Sequence, residues 1–300
     1  MDSISQVSEK TSLKSFVSDF KQLTKVGLSL SVVFSSVAGY FLGADAINFW
    51  IVIQLSIGGY LMVGASNAFN QIIEKDTDAL MKRTKNRPLP TGRMSVNTAL
   101  FIAISFTILG IAILYSINEK SALFGAISIF LYTSAYTPLK SVTPLSVFVG
   151  AFPGAIPFML GWVAATNQFG IEAGFLFLIQ FFWQFPHFWA IGWLGYEEYK
   201  KAGFNMLPMG NKDKAAIKQI IFYTIIMIFV SISPVLKVTG AFYIYPLTAV
   251  LIALIGGVML YYAFKLYNSE SNVDARKLML ASVFYITIVQ IIYVVDKFLH

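Results

Sequence analysis

The sequence predicts an all-α polytopic membrane protein, with nine transmembrane helices in a bundle around a central cavity. Of its 300 residues 57% are hydrophobic and 12% are charged, and the mean hydropathy is +0.69; a soluble domain has about a quarter of its residues charged. Apolar runs of about 20 residues, the length that crosses a bilayer core, recur along the chain. They are too long and too continuous to be barrel strands. The predicted spans cover residues 26–43, 48–69, 97–117, 121–137, 144–165, 173–195, 217–236, 241–263 and 278–295.

The distribution of Lys and Arg predicts the orientation of these spans. With nine spans, all of the 22 Lys and Arg residues except Lys120, Lys237 and Lys297 fall on the same side of the membrane. Positive charge is enriched in cytoplasmic loops. We therefore expect a cytoplasmic N-terminus and an external C-terminus.

The first 25 residues are polar and lack the apolar core and cleavage site of a signal peptide. Leu13, Phe16, Val17 and Phe20 recur at helical spacing, which predicts an amphipathic helix along the membrane surface. The expected organisation is a cytoplasmic amphipathic segment over residues 1–25, followed by a single transmembrane domain over residues 26–300.

Composition also excludes several kinds of chemistry. The chain has no cysteine, which rules out disulfides, thiolate nucleophiles and thiolate metal ligands. The net charge of +7 follows from membrane topology and favours anionic head groups or an anionic substrate. No motif for binding nucleic acid is present.

A stripe of oxygen ligands follows the second predicted span. Asn70, Glu74 and Asp78 are spaced four residues apart, so on a continuous helix they share one face. Two carboxylates and an amide oxygen suit Mg²⁺, which is often held together with substrate phosphates. Arg83 and Arg87 follow, and guanidinium groups match phosphate oxygens. The pattern predicts a metal–diphosphate site; the alternative is an ordinary solvated loop, which would not explain the carboxylates.

Four stretches of the chain form a recognisable set. They are Asn70-x3-Glu74-x3-Asp78 with Met81, Arg83, Thr84, Arg87, Pro88, Leu89 and Gly92; "YTPLK", ending at Lys140; "WQFPHF", starting at Trp183; and "EEYKKAGFNMLP", starting at Glu197. Together they resemble the UbiA superfamily of intramembrane prenyltransferases, and most of all its haem-directed branch. Asp is usual in the superfamily where Glu74 stands, and Glu198-Tyr199 replaces the Asp-Tyr common in the haem branch. The general Asp-x3-Asp form of the second acidic motif is absent.

The resemblance implies transfer of the farnesyl group of farnesyl diphosphate to a vinyl group of haem B, with Mg²⁺ as cofactor. It implies that Asn70, Glu74 and Asp78 bind the metal and serve catalysis together with Glu198. Arg83, Arg87 and Lys140 are then expected to bind the diphosphate. The expected location is the inner membrane of a bacterium, with the active-site loops on the cytoplasmic side. Transfer of the product to haem A synthase or to a terminal oxidase stays open.

Two other function classes compete with this expectation. One is a prenyltransferase of the same superfamily that acts on a quinone precursor, against which "WQFPHF" and the missing Asp-x3-Asp both argue. The other is a secondary transporter, which commonly has broken helices and charges at the membrane midplane. In this chain the acidic residues cluster at the ends of spans instead, which favours chemistry at the membrane surface.

His187 and two prolines are the remaining candidates within the spans. His187 lies 11 residues before Glu198, so on a straight helix it would share that residue's face about 16 Å deeper in the membrane. Imidazole is a common axial ligand of haem iron, so we expect His187 to bind haem, although a structural hydrogen bond is the alternative. Pro153 and Pro157 would kink the fifth span and open space for a bulky substrate, or would mark a packing irregularity.

Overall fold

The computed structural model describes residues 14–300, and no strand occurs among them. Leu13 and the rest of residues 1–13 lie outside the described part, so the predicted amphipathic segment is described only from residue 14 onward. A π-helical turn, Leu131–Tyr136, joins α6 to α7, and 3₁₀ turns lie at Pro208–Gly210 and Ser233–Leu236. The helices are α1 (14–24), α2 (Val26–Gly43), α3 (Phe49–Ile73), α4 (Lys75–Leu80), α5 (Val96–Ile117), α6 (Glu119–Phe130), α7 (Thr137–Leu139), α8 (Ser146–Thr166), α9 (Ile171–Leu194), α10 (Tyr196–Lys201), α11 (Lys214–Ile232), α12 (Pro246–Ser269) and α13 (Asn272–Leu299).

The prediction of a helical membrane protein is confirmed. Within residues 14–300, 8 helical segments are long and apolar enough to cross a membrane: α2, α3, α5, α6 through α7, α8, α11 with its 3₁₀ extension, α12 and α13. Helix α9 matches the sixth predicted span and is 24 residues long, but it is not among these eight. It carries Gln180, Gln184 and His187, and it packs between α8, α11 and α13.

Helix α12 begins five residues later than its predicted span. The apolar residues before Pro246 belong to a turn and a connection, which their hydrophobicity alone does not distinguish from a helix. Gly240 adopts a positive φ of 66°, and the backbone N–H of Ala241 donates to Glu172 Oε1 at 3.0 Å. Phe242 and Ile244 are buried in this connection rather than in a helix. Pro246 then occupies the first turn of α12, where its missing N–H costs no hydrogen bond.

Helix α8 carries the two prolines, and its glycines form one wall of the bundle interior. Pro157 has no N–H to donate to the carbonyl of Pro153, and Ser128 Oγ donates to that carbonyl instead, at 3.3 Å. A Cβ at Gly150 would lie 2.5 Å from the ring of Tyr136, and one at Gly154 would lie 2.0 Å from Gln184 Oε1. These glycines let side chains from neighbouring segments pack directly against the backbone of α8.

Helices α2 and α8 cross at Gly39 and Gly161. A Cβ at Gly161 would lie 1.9 Å from the backbone oxygen of Ser36 and 2.4 Å from the backbone nitrogen of Tyr40. Close approach of backbones at small residues is the usual way in which membrane helices associate. This crossing fixes α2, and with it Lys25 at the start of α2, against α8.

We expect Gly161→Ala to lower the melting temperature of the detergent-solubilised protein, because the new methyl group would collide with the backbone of α2. Overpacking of this kind costs about 1–3 kcal/mol. The matched control is Gly257→Ala on an exposed face of α12, where a Cβ meets no atom within 4 Å. Scanning fluorimetry on both variants checks this. A melting temperature for Gly161→Ala at or above that of Gly257→Ala would show that the crossing is not tight.

Candidate active site

A cavity of about 560 Å³ lies inside the bundle, with a largely apolar wall. Side chains of α2, α3, α6, α8, α9 and α13 line it, together with the loops after α4 and α10. The acidic and basic side chains of the lining lie together at one end of the cavity, and we call this set the charged mouth. Its members are Lys25, Glu74, Asp78, Arg83, Arg87 and Lys140.

The predicted stripe of oxygen ligands forms across a joint between two helices. Helix α3 ends at Ile73 and α4 starts at Lys75. Helical hydrogen bonds nevertheless continue through the joint, from Glu74 N–H to the Asn70 carbonyl at 2.9 Å and from Asp78 N–H to the Glu74 carbonyl at 2.7 Å. Asn70, Glu74 and Asp78 therefore line the cavity on one face, and all three are buried.

Each carboxylate of the charged mouth is paired with a cation from another segment. Lys140 Nζ donates to Glu74 Oε1 at 2.8 Å, and Arg87 Nη1 donates to Asp78 Oδ2 at 2.6 Å. Both acids are nearly inaccessible, with side-chain exposures of 7% for Glu74 and 1% for Asp78. A buried charge without a partner is strongly destabilising, so these pairs fix the arrangement of the mouth.

Lys140 reaches Glu74 because of the π-helical turn that precedes it. Thr137 N–H donates to the carbonyl of Tyr132, five residues back, and Thr137 Oγ1 donates to the same carbonyl at 2.8 Å. Asn70 Nδ2 donates to Thr137 Oγ1 at 3.3 Å, which ties this turn to α3. Lys140 Nζ also lies 4.5 Å from the centre of the Tyr136 ring, a cation–π contact. π-turns of this kind are frequent at functional sites.

Asp78 has one carboxylate oxygen in use and one without a partner. Oδ2 accepts from Arg87, whereas the buried Oδ1 accepts no hydrogen bond. Burial raises the pKa of Asp78, although the charge and hydrogen bond of Arg87 oppose this shift. Thr84 Oγ1 donates to the backbone carbonyl of Asp78 at 2.8 Å and holds the following loop against it.

The donor set fits a divalent cation that prefers oxygen ligands. The free Oδ1 of Asp78, the carboxylate of Glu74 and the amide oxygen of Asn70 face the same cavity. No group of three or more His, Cys, Asp or Glu suited to a metal occurs within residues 14–300. A cation at this mouth would therefore have two carboxylates and an amide from the chain and would depend on a ligand for the rest, which is the usual situation of Mg²⁺.

Glu198 lies just beyond the end of α9. A turn at Gly195 separates α9 from α10, but helical hydrogen bonds continue through it, from Gly195 N–H to the Ile191 carbonyl and from Tyr199 N–H to the Gly195 carbonyl, both at 2.9 Å. The common face of His187 and Glu198 therefore stays a prediction. Glu198 is not among the cavity-lining residues; its Oε2 accepts from the backbone N–H of Arg83 at 3.4 Å. Arg83 Nη2 also donates to the hydroxyl of Tyr199 at 3.2 Å. The second acidic segment thus holds the loop that carries Arg83.

Lys25 is the member of the charged mouth that no motif predicted. It lies between α1 and α2 with φ 47° and ψ 57°, a left-handed conformation that is uncommon for a residue with a side chain. The preceding carbonyl of Thr24 accepts from Asn67 Nδ2 at 3.3 Å and from Ser29 Oγ at 2.8 Å, which stabilises this break. Desolvation, with the nearby charges of Arg87 and Lys140, lowers the pKa of Lys25 to about 7.

His187 lies on α9 and lines the same cavity as the charged mouth. Its Nδ1 is 2.7 Å from Ser282 Oγ on α13, and its ring stacks on Trp183 with 4.7 Å between the ring centres. The imidazole of His187 and the charged mouth therefore line one largely apolar cavity.

Comparisons with known proteins point to one family. The sequence profile of the UbiA prenyltransferase family matches residues 32–288. A protein of Flavobacterium psychrophilum named protoheme IX farnesyltransferase is 62% identical over 291 residues, which are 96% of this chain and 97% of that protein.

Solved structures show a similar fold at low sequence identity. A structure reported for digeranylgeranylglyceryl phosphate synthase superposes with a TM-score of 0.76 and 19% identity, covering 93% of this chain and 98% of that one. A UbiA homologue from Archaeoglobus fulgidus bound to GPP and Mg²⁺ has a TM-score of 0.66 and 20% identity, covering 92% of this chain and 99% of that one.

We expect the affinity for a prenyl diphosphate to fall as the pH is raised above about 7, because Lys25 then loses the proton that makes it attract the anion. The loss approaches tenfold for each pH unit above this pKa. Lys25→Met should remove this part of the pH dependence. Titrating the wild type and the variant with the prenyl diphosphate at pH values from about 6 to about 8.5 measures the affinity at each pH.

The control for this prediction is Lys85→Met, which removes the same charge from an exposed site outside the cavity. Ionisation of the diphosphate itself contributes equally in all three proteins. A pH profile of Lys25→Met that overlays those of the wild type and Lys85→Met would contradict the role given to Lys25.

Proposed function

The chain belongs to the UbiA prenyltransferase family, and from this premise we propose that it transfers the farnesyl group of farnesyl diphosphate to a vinyl group of haem B, forming haem O and releasing diphosphate. The observation that carries this function is the charged mouth, which opens onto an apolar cavity containing His187. High identity to a protoheme IX farnesyltransferase over nearly the whole chain supports the choice of substrates.

The proposed topology has nine spans, with α9 as the sixth. Its 24 residues are enough to cross a bilayer, and its polar side chains face the cavity instead of lipid. In this topology α1 lies along the membrane surface, and residues 26–300 form one transmembrane domain. Phe16 and Val17 on α1 are exposed and suit contact with lipid. The positive-inside distribution supports a cytoplasmic N-terminus and a charged mouth on the cytoplasmic side of a bacterial inner membrane.

At the charged mouth the basic side chains bind the diphosphate. Arg83, Arg87 and Lys140 come from loops and turns that other contacts already hold in place, so little reorganisation is needed. When the allylic C–O bond breaks, negative charge accumulates on the leaving diphosphate. Cations that are already oriented toward this charge lower the barrier.

The proposed metal ligands are Asn70, Glu74 and Asp78. Mg²⁺ bound by them supplies Lewis-acid stabilisation of the leaving group. A metal bound to Glu74 would compete with Lys140 for that carboxylate, and the displaced lysine would be available to the diphosphate. Asp78 could offer Oδ1 to the metal and keep Arg87 on Oδ2. A solved UbiA homologue bound to GPP and Mg²⁺ supports Mg²⁺ as the cofactor. Glu198 contributes by holding the backbone of Arg83.

Within the cavity the apolar wall excludes water while the new bond forms. The vinyl group of haem B attacks the allylic carbon as its C–O bond to the diphosphate breaks. Water then adds to the resulting carbocation and loses one proton to the released diphosphate, which gives the hydroxyl group of haem O. His187 is the proposed haem ligand, since imidazole is a common axial ligand of haem iron. An ionisable side chain inside a membrane domain is by default a functional candidate.

A quinone precursor as acceptor is the main alternative within the family. The relative's name and the position of His187 in the cavity favour haem. A transporter is disfavoured because the paired acids lie at one end of the cavity and are each neutralised by a cation. Delivery of the product to haem A synthase or a terminal oxidase would follow from the proposed reaction.

We expect the protein in liposomes to release diphosphate from farnesyl diphosphate only when haem B and Mg²⁺ are present, with a product of the mass of haem O. Asp78→Asn should reduce the rate by about a hundredfold or more, because Lewis-acid stabilisation is worth several kcal/mol. The matched control is Asp76→Asn, which removes a charge from an exposed residue two positions away.

Two results would refute this function. One is a product formed with 4-hydroxybenzoate or another quinone precursor but not with haem B. The other is equal loss of activity in Asp78→Asn and Asp76→Asn, which would mean that charge near the mouth matters but the proposed metal ligand does not.

A further inference from the structure

The ring of His187 is held by one residue of α13. Ser282 Oγ lies 2.7 Å from His187 Nδ1 and donates to the carbonyl of Met279 at 2.6 Å. Ser282 is fully buried and is not among the residues that line the cavity. Any influence of Ser282 on a substrate must therefore act through the residues that it contacts, and its side chain contacts His187.

The hydrogen-bond roles follow from the single proton of a hydroxyl group. Because the Ser282 hydroxyl donates its proton to Met279, its oxygen can only accept from His187. Nδ1 of His187 must then carry a proton. In a neutral imidazole the other nitrogen, Nε2, has no proton and keeps an electron pair.

The same residue also anchors the stacking partner of the ring. Trp183 Nε1 donates to the backbone carbonyl of Ser282 at 2.6 Å, and the Trp183 and His187 rings are nearly parallel, at 17°. Trp183 and His187 are separated by one helical turn on α9. Two contacts to Ser282 thus fix the plane of the His187 imidazole and the position of the Trp183 ring on which it stacks.

We propose that Ser282 is a positioning residue that fixes His187 as the Nδ1-protonated tautomer and leaves Nε2 as an open ligand for the iron of haem B. This inference rests on the proposed function, because it assumes that His187 contacts haem. Histidines that bind metals usually donate the other ring N–H to an oxygen acceptor, which sets the tautomer and raises the basicity of the ligating nitrogen. Here the acceptor comes from α13, so the contact between α9 and α13 orients the substrate.

The experiment is a haem titration of the full-length protein in detergent, followed by absorption and resonance Raman spectroscopy of the ferrous complex. Ser282→Ala should lower haem affinity by about tenfold, the lower end of the effect of losing such a partner. It should also shift the iron–histidine stretching band to lower frequency, because the ligating nitrogen becomes less basic. Ser282→Thr, which keeps the hydroxyl, should restore both the affinity and the band.

Two further variants show whether Ser282 acts through His187 and whether the strength of its acceptor matters. In a His187→Ala background, Ser282→Ala should have no additional effect on haem affinity or spectrum. Ser282→Cys, which keeps the size but weakens the acceptor, should fall between Ser282→Ala and the wild type, and it replaces Ser282→Ala if that variant fails to fold.

Each contrary outcome has a distinct meaning. If His187→Ala removes the iron–histidine band but Ser282→Ala leaves the band and the affinity unchanged, the role of Ser282 is refuted and the proposed haem ligation stands. If His187→Ala leaves the haem spectrum unchanged, His187 is not the ligand and the inference fails with it. The farnesyl transfer assay is independent of both results and tests the function itself.

Discussion

The pairing of two buried carboxylates with two cations is the constraint on which the rest of the site depends. Glu74 and Asp78 are placed at the edge of the apolar bundle, where an uncompensated charge would be strongly destabilising. Lys140 and Arg87 supply the compensation from two other segments, at 2.8 and 2.6 Å. To bring them there, the chain uses a π-helical turn before Lys140 and a compact loop after α4. The pairs therefore also assemble the cations that a diphosphate requires.

This arrangement divides the cavity into two chemical regions. At the mouth, other contacts hold the segments that carry the cations, so that the charge of the leaving group develops close to them. Behind it, the glycines of α8 admit the side chains of Tyr136 and Gln184, and His187 contacts Ser282. The close crossing of α2 and α8 at Gly161 connects the regions, because it fixes the helix that begins at Lys25.

Much of this architecture was predictable, and the failures have physical causes. The apolar runs predicted the membrane helices, and the spacing of Asn70, Glu74 and Asp78 predicted their common face, because helical hydrogen bonds continue through the joint. Glu198 was expected to serve catalysis, but it does not line the cavity and contacts the loop that carries Arg83, a position that depends on tertiary packing and not on helical spacing. The role of Lys25 was not predictable, since a left-handed residue other than glycine has no sequence signature. Ion-pair partners more than 60 residues apart likewise follow only from tertiary packing.

The central claim is that Glu74 holds Lys140 only until metal and diphosphate replace these partners. Calorimetric measurement of Mg²⁺ affinity in the ligand-free protein at about pH 6 tests it, comparing the wild type with Lys140→Met and with Lys25→Met. Lys25 is charged at this pH, which lies below its pKa of about 7, so both variants remove one positive charge from the mouth, but only Lys140 is paired with a proposed metal ligand. The account predicts that Lys140→Met tightens Mg²⁺ binding clearly more than Lys25→Met does. Equal effects, or weaker Mg²⁺ binding in Lys140→Met, would contradict it.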